Sequence, residues 1–256
     1  MKKLAIITVN YNGSDDTIEF LDSLKQLSAF SFQLSVIVVD NGSTDNSVEK
    51  ILKKHPEIDL LQTGENKGFA GGYNRGIEHA MIWGADYLLI INNDTLISDP
   101  HLLTKLAKTL DENPKAGIVA PKIYFAPGFE FHKEKYTKED SGKVIWYGGG
   151  EFDWNNVYSV HHGMNEVDQG QYDKEEAVSF VTACCWMIKR EVIEKVGMFE
   201  EDLFAYFEDN DLCMRIQAAG YKLYYNGQTS LFHKVSRTSG IGSSFGDYLI
   251  DRKSVV

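Results

Sequence analysis

Along the first half of the chain, unbroken apolar runs alternate with stretches whose apolar positions recur every three or four residues. The runs "KLAIITVNY" (3–11), "LSVIVVDNGS" (34–43) and "YLLIIN" (87–92) end abruptly in polar residues, as buried strands do. Between them, "SDDTIEFLDSLKQL" (14–27) places Ile18, Leu21, Leu24 and Leu27 on one helical face, with Ser14 as the expected N-cap. "TDNSVEKILKKH" (44–55), "AGGYNRGIEHAMIWG" (70–84) and 101–112 read as further helices, and "DLLQTGEN" (59–66) and "AGIVAPKIYF" (116–125) as further strands. Strands alternating with helices predict an α/β fold built on a mostly parallel, doubly wound sheet.

The second half has a different texture. Residues 128–140 are charged and aperiodic, which predicts an exposed loop. "KVIWYGGGEFDWNNVYSVHHG" (143–163) reads as a hairpin and "AVSFVTACCWMIKR" (177–190) as one strand. Helices are expected at "REVIEKVG" (190–197) and "NDLCMRIQAAG" (210–220), and a strand at "KLYYNG" (222–227). There is no internal repeat and no long linker, so residues 1–256 are expected to form one domain, with mixed C-terminal additions to the α/β core.

Composition narrows the partners. A net charge of −11 argues against a nucleic-acid surface, which needs clustered Lys and Arg. Cys184, Cys185 and Cys213 form no CxxC pair, which points to small core residues in a reducing, cytoplasmic compartment. The apolar run in "MKKLAIITVNYNG" is too short for a signal peptide, and no run approaches the ~18 residues of a membrane span. The chain ends at "DYLIDRKSVV" without a clear stop, as a shortened chain would.

Three strand ends, "TVNYNG", "VVDNGSTD" and "INND", carry the candidate chemistry. In a parallel sheet they share one edge, where open α/β folds bind ligands. Asn92, Asn93 and Asp94 are either a ligand-facing rim or an ordinary Asn/Asp turn. Asp40 either accepts N–H bonds from a nucleobase or starts a turn and caps the helix after it. "NKGFAGGYNRG" (66–76) lacks both the dinucleotide fingerprint and the P-loop pattern, but a Gly-rich helix start can meet a diphosphate through backbone N–H groups. In "FEDNDLCMR", the run Glu208–Asp211 loads a helix start with acid, and mutual repulsion is expected to raise one carboxyl pKa, as a general base requires. A lone His233 becomes a ligand candidate only if Asp94 lies beside it.

In this order, "VNYNG", "VVDNGSTDNS", "ENKGFAGGYNRGI", "LLIINNDT", "GGGEFD", "GQYD", "VTACCWMIKREVIEKVGMFEE", "FAYFEDNDLCMRIQAAGYKLYY" and "FHKVSRTSG" resemble the family 2 glycosyltransferases of the GT-A fold, rhamnosyltransferase-like branch. The resemblance implies an inverting enzyme that moves a sugar, L-rhamnose from dTDP-L-rhamnose or else the sugar of a UDP-linked donor, onto a glycan or lipid-linked glycan in bacterial surface polysaccharide synthesis; the alternative is a catalytically silent sugar-nucleotide or glycan-binding module. It implies a nucleotide-binding half (1–125) and an acceptor-binding, catalytic half (126–256), in a protein peripheral to the inner membrane face. Asp40 would bind the base, framed by Thr8 and Asn10, and Gly68, Gly71, Asn74 and Arg75 would cover the nucleotide. "NND" takes the place of the family's Asp-x-Asp, so Asn92 and Asn93 join the nucleotide site and Asp94 alone remains as a strong metal carboxylate. His233 would complete a Mn²⁺ or Mg²⁺ site, and Asp209 would be the base. Glu208, Thr182 and Trp186 would contact substrate, and Lys253 replaces the family's usual asparagine.

Overall fold

A computed structural model describes residues 1–28, 31–156 and 158–235, so Lys253 lies outside the described residues. The first half follows the predicted alternation: β1 (Lys2–Asn10), α1 (Ser14–Leu24), β2 (Phe32–Asp40), α2 (Ser47–Lys54), β3 (Asp59–Gln62), α3 (Gly68–Trp83), β4 (Tyr87–Ile91), β5 (Thr95–Ile97), α4 (Leu102–Glu112) and β6 (Ala116–Phe125). After two short 3₁₀ turns in the charged loop come β7 (Ile145–Tyr147), β8 (Gly150–Asp153), β9 (Tyr158–His161), β10 (Glu175–Val178), β11 (Cys185–Lys189), α5 (Arg190–Val196), α6 (Glu208–Ala218) and β12 (Lys222–His233).

One sheet organises the chain, in the order β10-β12-β6-β11-β4-β1-β2-β3, with β5 on β12 and β7 on β6. β3, β2, β1 and β4 run parallel, so Asn10 stands level with Asp40 at one edge. β11, from the second half, inserts antiparallel between β4 and β6. The two halves therefore share one sheet and one core, whose fully buried residues include Leu4, Ile7, Val38, Leu89, Ile118, Trp186 and Leu223.

Four expectations change. The segment 143–163 is not one hairpin: β7 joins β6 in the main sheet, and only β8 and β9 pair with each other. The run 177–190 breaks into β10 and β11, because Val181–Cys184 leaves the sheet as buried irregular chain, with the Cys184 carbonyl accepting from Asn92 N–H. Ser14 is the first residue of α1, and Gly13 occupies the cap position. The helix expected from Asn210 begins at Glu208, so Asp209 lies in its first turn and the cap is Phe207 in a left-handed conformation.

The glycines of α3 are explained by packing. A Cβ on Gly76 would meet Ile7 Cγ2 at 2.4 Å, and one on Gly72 would meet Val9 Cγ1 at 3.0 Å, so the helix lies directly on β1. Gly76→Ala should therefore destabilise the fold by about 1–3 kcal/mol, the usual cost of forcing a methyl into a closed contact. Urea denaturation of the variant, with an unchanged slope and a lower midpoint, is the expected result.

Candidate active site

The rim begins at Asn10, the last residue of β1. Its amide donates to Asp40 Oδ1 at 2.9 Å and to Ser43 Oγ at 3.1 Å, while its carbonyl oxygen accepts from Thr17 Oγ1 at 2.9 Å. Thr17 in turn accepts from Asn93 Nδ2 at 2.9 Å. An unbroken buried chain thus joins the ends of β1, β2 and β4. Asp40 also accepts from the Ser43 N–H at 3.2 Å and is 2 % exposed. It does start a turn, but it caps no helix, since α2 begins only at Ser47. Thr8 is completely buried in β1, two residues before Asn10.

"NND" divides its labour. The Asn92 side-chain oxygen accepts from Tyr73 Oη at 3.1 Å, and its N–H donates to the Cys184 carbonyl at 2.9 Å. Burial pushes the Tyr73 hydroxyl well up, so it remains a donor. Asn93 serves the Thr17 chain. Asp94 faces His233, with Oδ1 3.1 Å from Nε2 and both residues buried. Strand register produces this meeting: β12 runs antiparallel to β5, His233 sits opposite Thr95, and the Lys234 N–H donates to the Asp94 carbonyl at 2.9 Å. A cleft of about 420 Å³ lined by Tyr11, Asn12, Asp45, Lys50 and Asn93 opens at this edge. A second, of about 550 Å³, is lined by residues that include Phe129, His132 and Lys234.

A divalent ion fits the Asp94–His233 pair in one way. Among the described residues no cluster of three His, Cys, Asp or Glu could enclose a metal. One buried carboxylate facing one imidazole suits an ion that takes its remaining ligands from substrate oxygens and water, the habit of Mg²⁺ and Mn²⁺ rather than of a closed structural zinc site. The three thiols offer no alternative: all are buried, and that burial holds their pKa values up.

Asp209 is partly buried near the same edge. Its Oδ2 accepts from the Ala183 N–H at 3.4 Å and its Oδ1 from the Asn210 N–H at 2.9 Å. Cys184, next to Ala183, holds Asn92, so the Ala183–Cys184 peptide links the base candidate to "NND". Burial raises the Asp209 carboxyl to about 6, against the pull of those backbone N–H groups. Desolvation is the leading cause. Asp211 is turned onto Arg215, 2.8 Å from Nε and 2.5 Å from Nη2. Glu208 is buried at the first position of α6.

The Gly-rich segment differs most from expectation. Three of its amides are taken by the protein: Lys67 N–H by Asn41 Oδ1 at 3.1 Å, Gly68 N–H by Asn66 Oδ1 at 2.9 Å, and Ala70 N–H by the Phe204 carbonyl at 3.2 Å. These three N–H groups are therefore engaged by the protein itself. Gly68 has φ +71°, and a Cβ there would lie 2.3 Å from the Phe204 oxygen. Gly71 lies against Lys67. Asn74 is buried and clamps the chain after α5, donating to the Phe199 carbonyl and to Glu201 Oε1 at 2.9 Å each and accepting from Phe199 N–H at 3.0 Å. Arg75 points outward, 3.5 Å from Glu78. Trp186 is fully buried and stacked on Phe199 at 5.8 Å. Thr182 is buried too, its hydroxyl accepting from Cys184 N–H at 3.3 Å.

The clamped segment ends in strain. Phe204, Tyr206 and Phe207 all have positive φ, at 57°, 69° and 67°, directly before Glu208 and Asp209. Such residues cost on the order of 1–3 kcal/mol each and gather where surrounding structure imposes a functional geometry.

A rim of amides over a parallel sheet, a carboxylate–imidazole pair at one strand end and a second carboxylate of raised pKa together make the candidate active site. The profile of "Glycosyl transferase family 2" matches residues 5–197, and the chain belongs to that family. Its relatives include the N-acetylglucosaminyl-diphospho-decaprenol L-rhamnosyltransferase of Mycobacterium tuberculosis, 26 % identical over 250 residues that span 93 % of this chain and 78 % of the relative. The dTDP-rhamnosyl transferase RfbF of Shigella flexneri is 25 % identical across 87 % of this chain and 69 % of its own length. Among solved structures, the mannosyltransferase PcManGT from Pyrobaculum calidifontis, in complex with GDP-Man and Mn²⁺, superposes with a TM-score of 0.60 at 20 % identity, over 93 % of this chain and 58 % of that one. The fold is GT-A, and this chain spans just over half of that solved structure. No helix among the described residues is long and apolar enough to cross a membrane.

Thr17 was not singled out from sequence, although a threonine in the first turn of an amphipathic helix, four residues after a glycine, was its one signal. Thr17→Val leaves Asn93 and Asn10 each short of a partner. It should cost about 1–3 kcal/mol in urea denaturation, and Thr17→Ser should recover most of that stability.

Proposed function

We propose that the chain is an inverting, metal-dependent glycosyltransferase whose donor is dTDP-L-rhamnose and whose acceptor is a hydroxyl of a glycan or lipid-linked glycan in bacterial surface polysaccharide synthesis. The observation that carries this reading is the Asp94–His233 pair at a strand carboxyl end, joined through Cys184 and Ala183 to Asp209. Two rhamnosyltransferases among the relatives support the sugar.

Asn10 and Asp40 hold the edge against which the base and ribose lie, Asp40 offering its remaining lone pairs to a pyrimidine N–H. Asp94 and His233 are the residues that would hold a divalent ion, which supplies Lewis-acid stabilisation of the negative charge growing on the leaving diphosphate. Asp209 accepts the proton of the acceptor hydroxyl. The hydroxyl oxygen forms the new bond to the anomeric carbon, and the diphosphate departs from the opposite face with the old bonding pair. A carboxyl titrating at about 6 is a carboxylate at neutral pH yet basic enough to draw that proton.

The test is a donor screen with dTDP-rhamnose and UDP-sugars, with Mn²⁺ and with EDTA. Transfer from dTDP-rhamnose that EDTA abolishes is expected, whereas undiminished turnover in EDTA would return "NND" to a structural turn. Asp209→Asn should lower turnover at least ~10²-fold while leaving nucleotide affinity unchanged. The active form of Asp209 is deprotonated and its pKa is raised to about 6, so kcat/KM should fall as pH drops through that value. The loss approaches about tenfold per pH unit below it. A flat profile from pH 7 to pH 5 would move the base elsewhere.

A further inference from the structure

We infer that Trp146 is the positioning residue that aims the His233 imidazole at Asp94, a role that rests on the metal reading of that pair. A metal-binding histidine ordinarily donates its second ring N–H to a carboxylate or carbonyl, which fixes tautomer and ring orientation. His233 lacks that anchor: its Nδ1 is buried with no hydrogen-bond partner among the described residues. The indole of Trp146 stands against the imidazole instead, with centroids 4.5 Å apart and planes at 81°. Perpendicular aromatic packing of this kind contributes orientation as well as burial.

Trp146 is itself held from the other side. It sits in β7 between Ile145 and Tyr147, both completely buried. The ring of His161 meets it at 4.7 Å and 82°, and His161 Nδ1 lies 3.2 Å from the Trp146 carbonyl. Burial pushes His161 down to about 4, so at neutral pH it packs against the indole as an uncharged ring. His161, Trp146 and His233 thus form a row of three rings packed edge to face, from β9 to the end of β12. The main mechanism gives Trp146 and His161 no role of their own.

The test is Mn²⁺ binding in the presence of dTDP, followed by electron paramagnetic resonance of the unbound ion, alongside dTDP binding in metal-free buffer. Trp146→Ala should weaken Mn²⁺ binding by about 10–100-fold, the range seen when the partner orienting a ligand is removed. Metal-free dTDP affinity should be unchanged, and Trp146→Phe, which keeps a ring, should recover most of the loss. His233→Ala separates the possible failures. If His233→Ala weakens Mn²⁺ binding and Trp146→Ala does not, the positioning role is wrong and the metal reading stands. If His233→Ala has no effect, both fall. Equal losses of metal-free dTDP and Mn²⁺ binding in Trp146→Ala would show a general packing role and overturn the specific one.

Discussion

The rest of the site depends on the buried hydrogen-bond chain from Asn93 through Thr17 and Asn10 to Asp40. A buried polar group left unpaired costs about 1–3 kcal/mol. Four such side chains in one line must therefore keep a single arrangement. Parallel pairing levels the ends of β1 and β2, and Thr17 on α1 ties the end of β4 to them. The polar edge is fixed before any ligand arrives, as a site that stabilises developing charge requires.

The second half of the chain is threaded into that frame rather than docked against it. β11 enters between β4 and β6, and the irregular segment before it carries the two peptides that hold Asn92 and Asp209. β12 ends opposite β5, which sets His233 beside Asp94. The strained chain before Asp209 is clamped on α3 by Asn74 and by the Ala70 N–H. Backbone cost at Phe204, Tyr206 and Phe207 is thereby offset by contacts on the neighbouring helix.

The apolar runs made β1, β2, β4 and their polar ends readable from sequence, because a buried parallel strand has to be apolar on both faces and must stop where solvent begins. The acidic start of α6 was readable for a similar local reason. What was not readable is non-local. Gly68 and Gly76 signalled close approach, but the partners they meet, Phe204 and Ile7, are distant in sequence, so which backbone approaches them was not readable. Trp186 carried a family motif and yet fills the core. Trp146 and Tyr73 had no distinguishing pattern, and only the fold brings them to His233 and Asn92. The break at Val181–Cys184 was hidden because a buried irregular segment is as apolar as a strand.

The most direct measurement is anomalous diffraction at the manganese edge from crystals grown with dTDP and Mn²⁺. One peak within bonding distance of both the Asp94 carboxylate and His233 Nε2, next to the diphosphate, is the predicted result. Nucleotide bound at the Asn10–Asp40 edge with no peak at that pair, or with the ion held elsewhere, would contradict it.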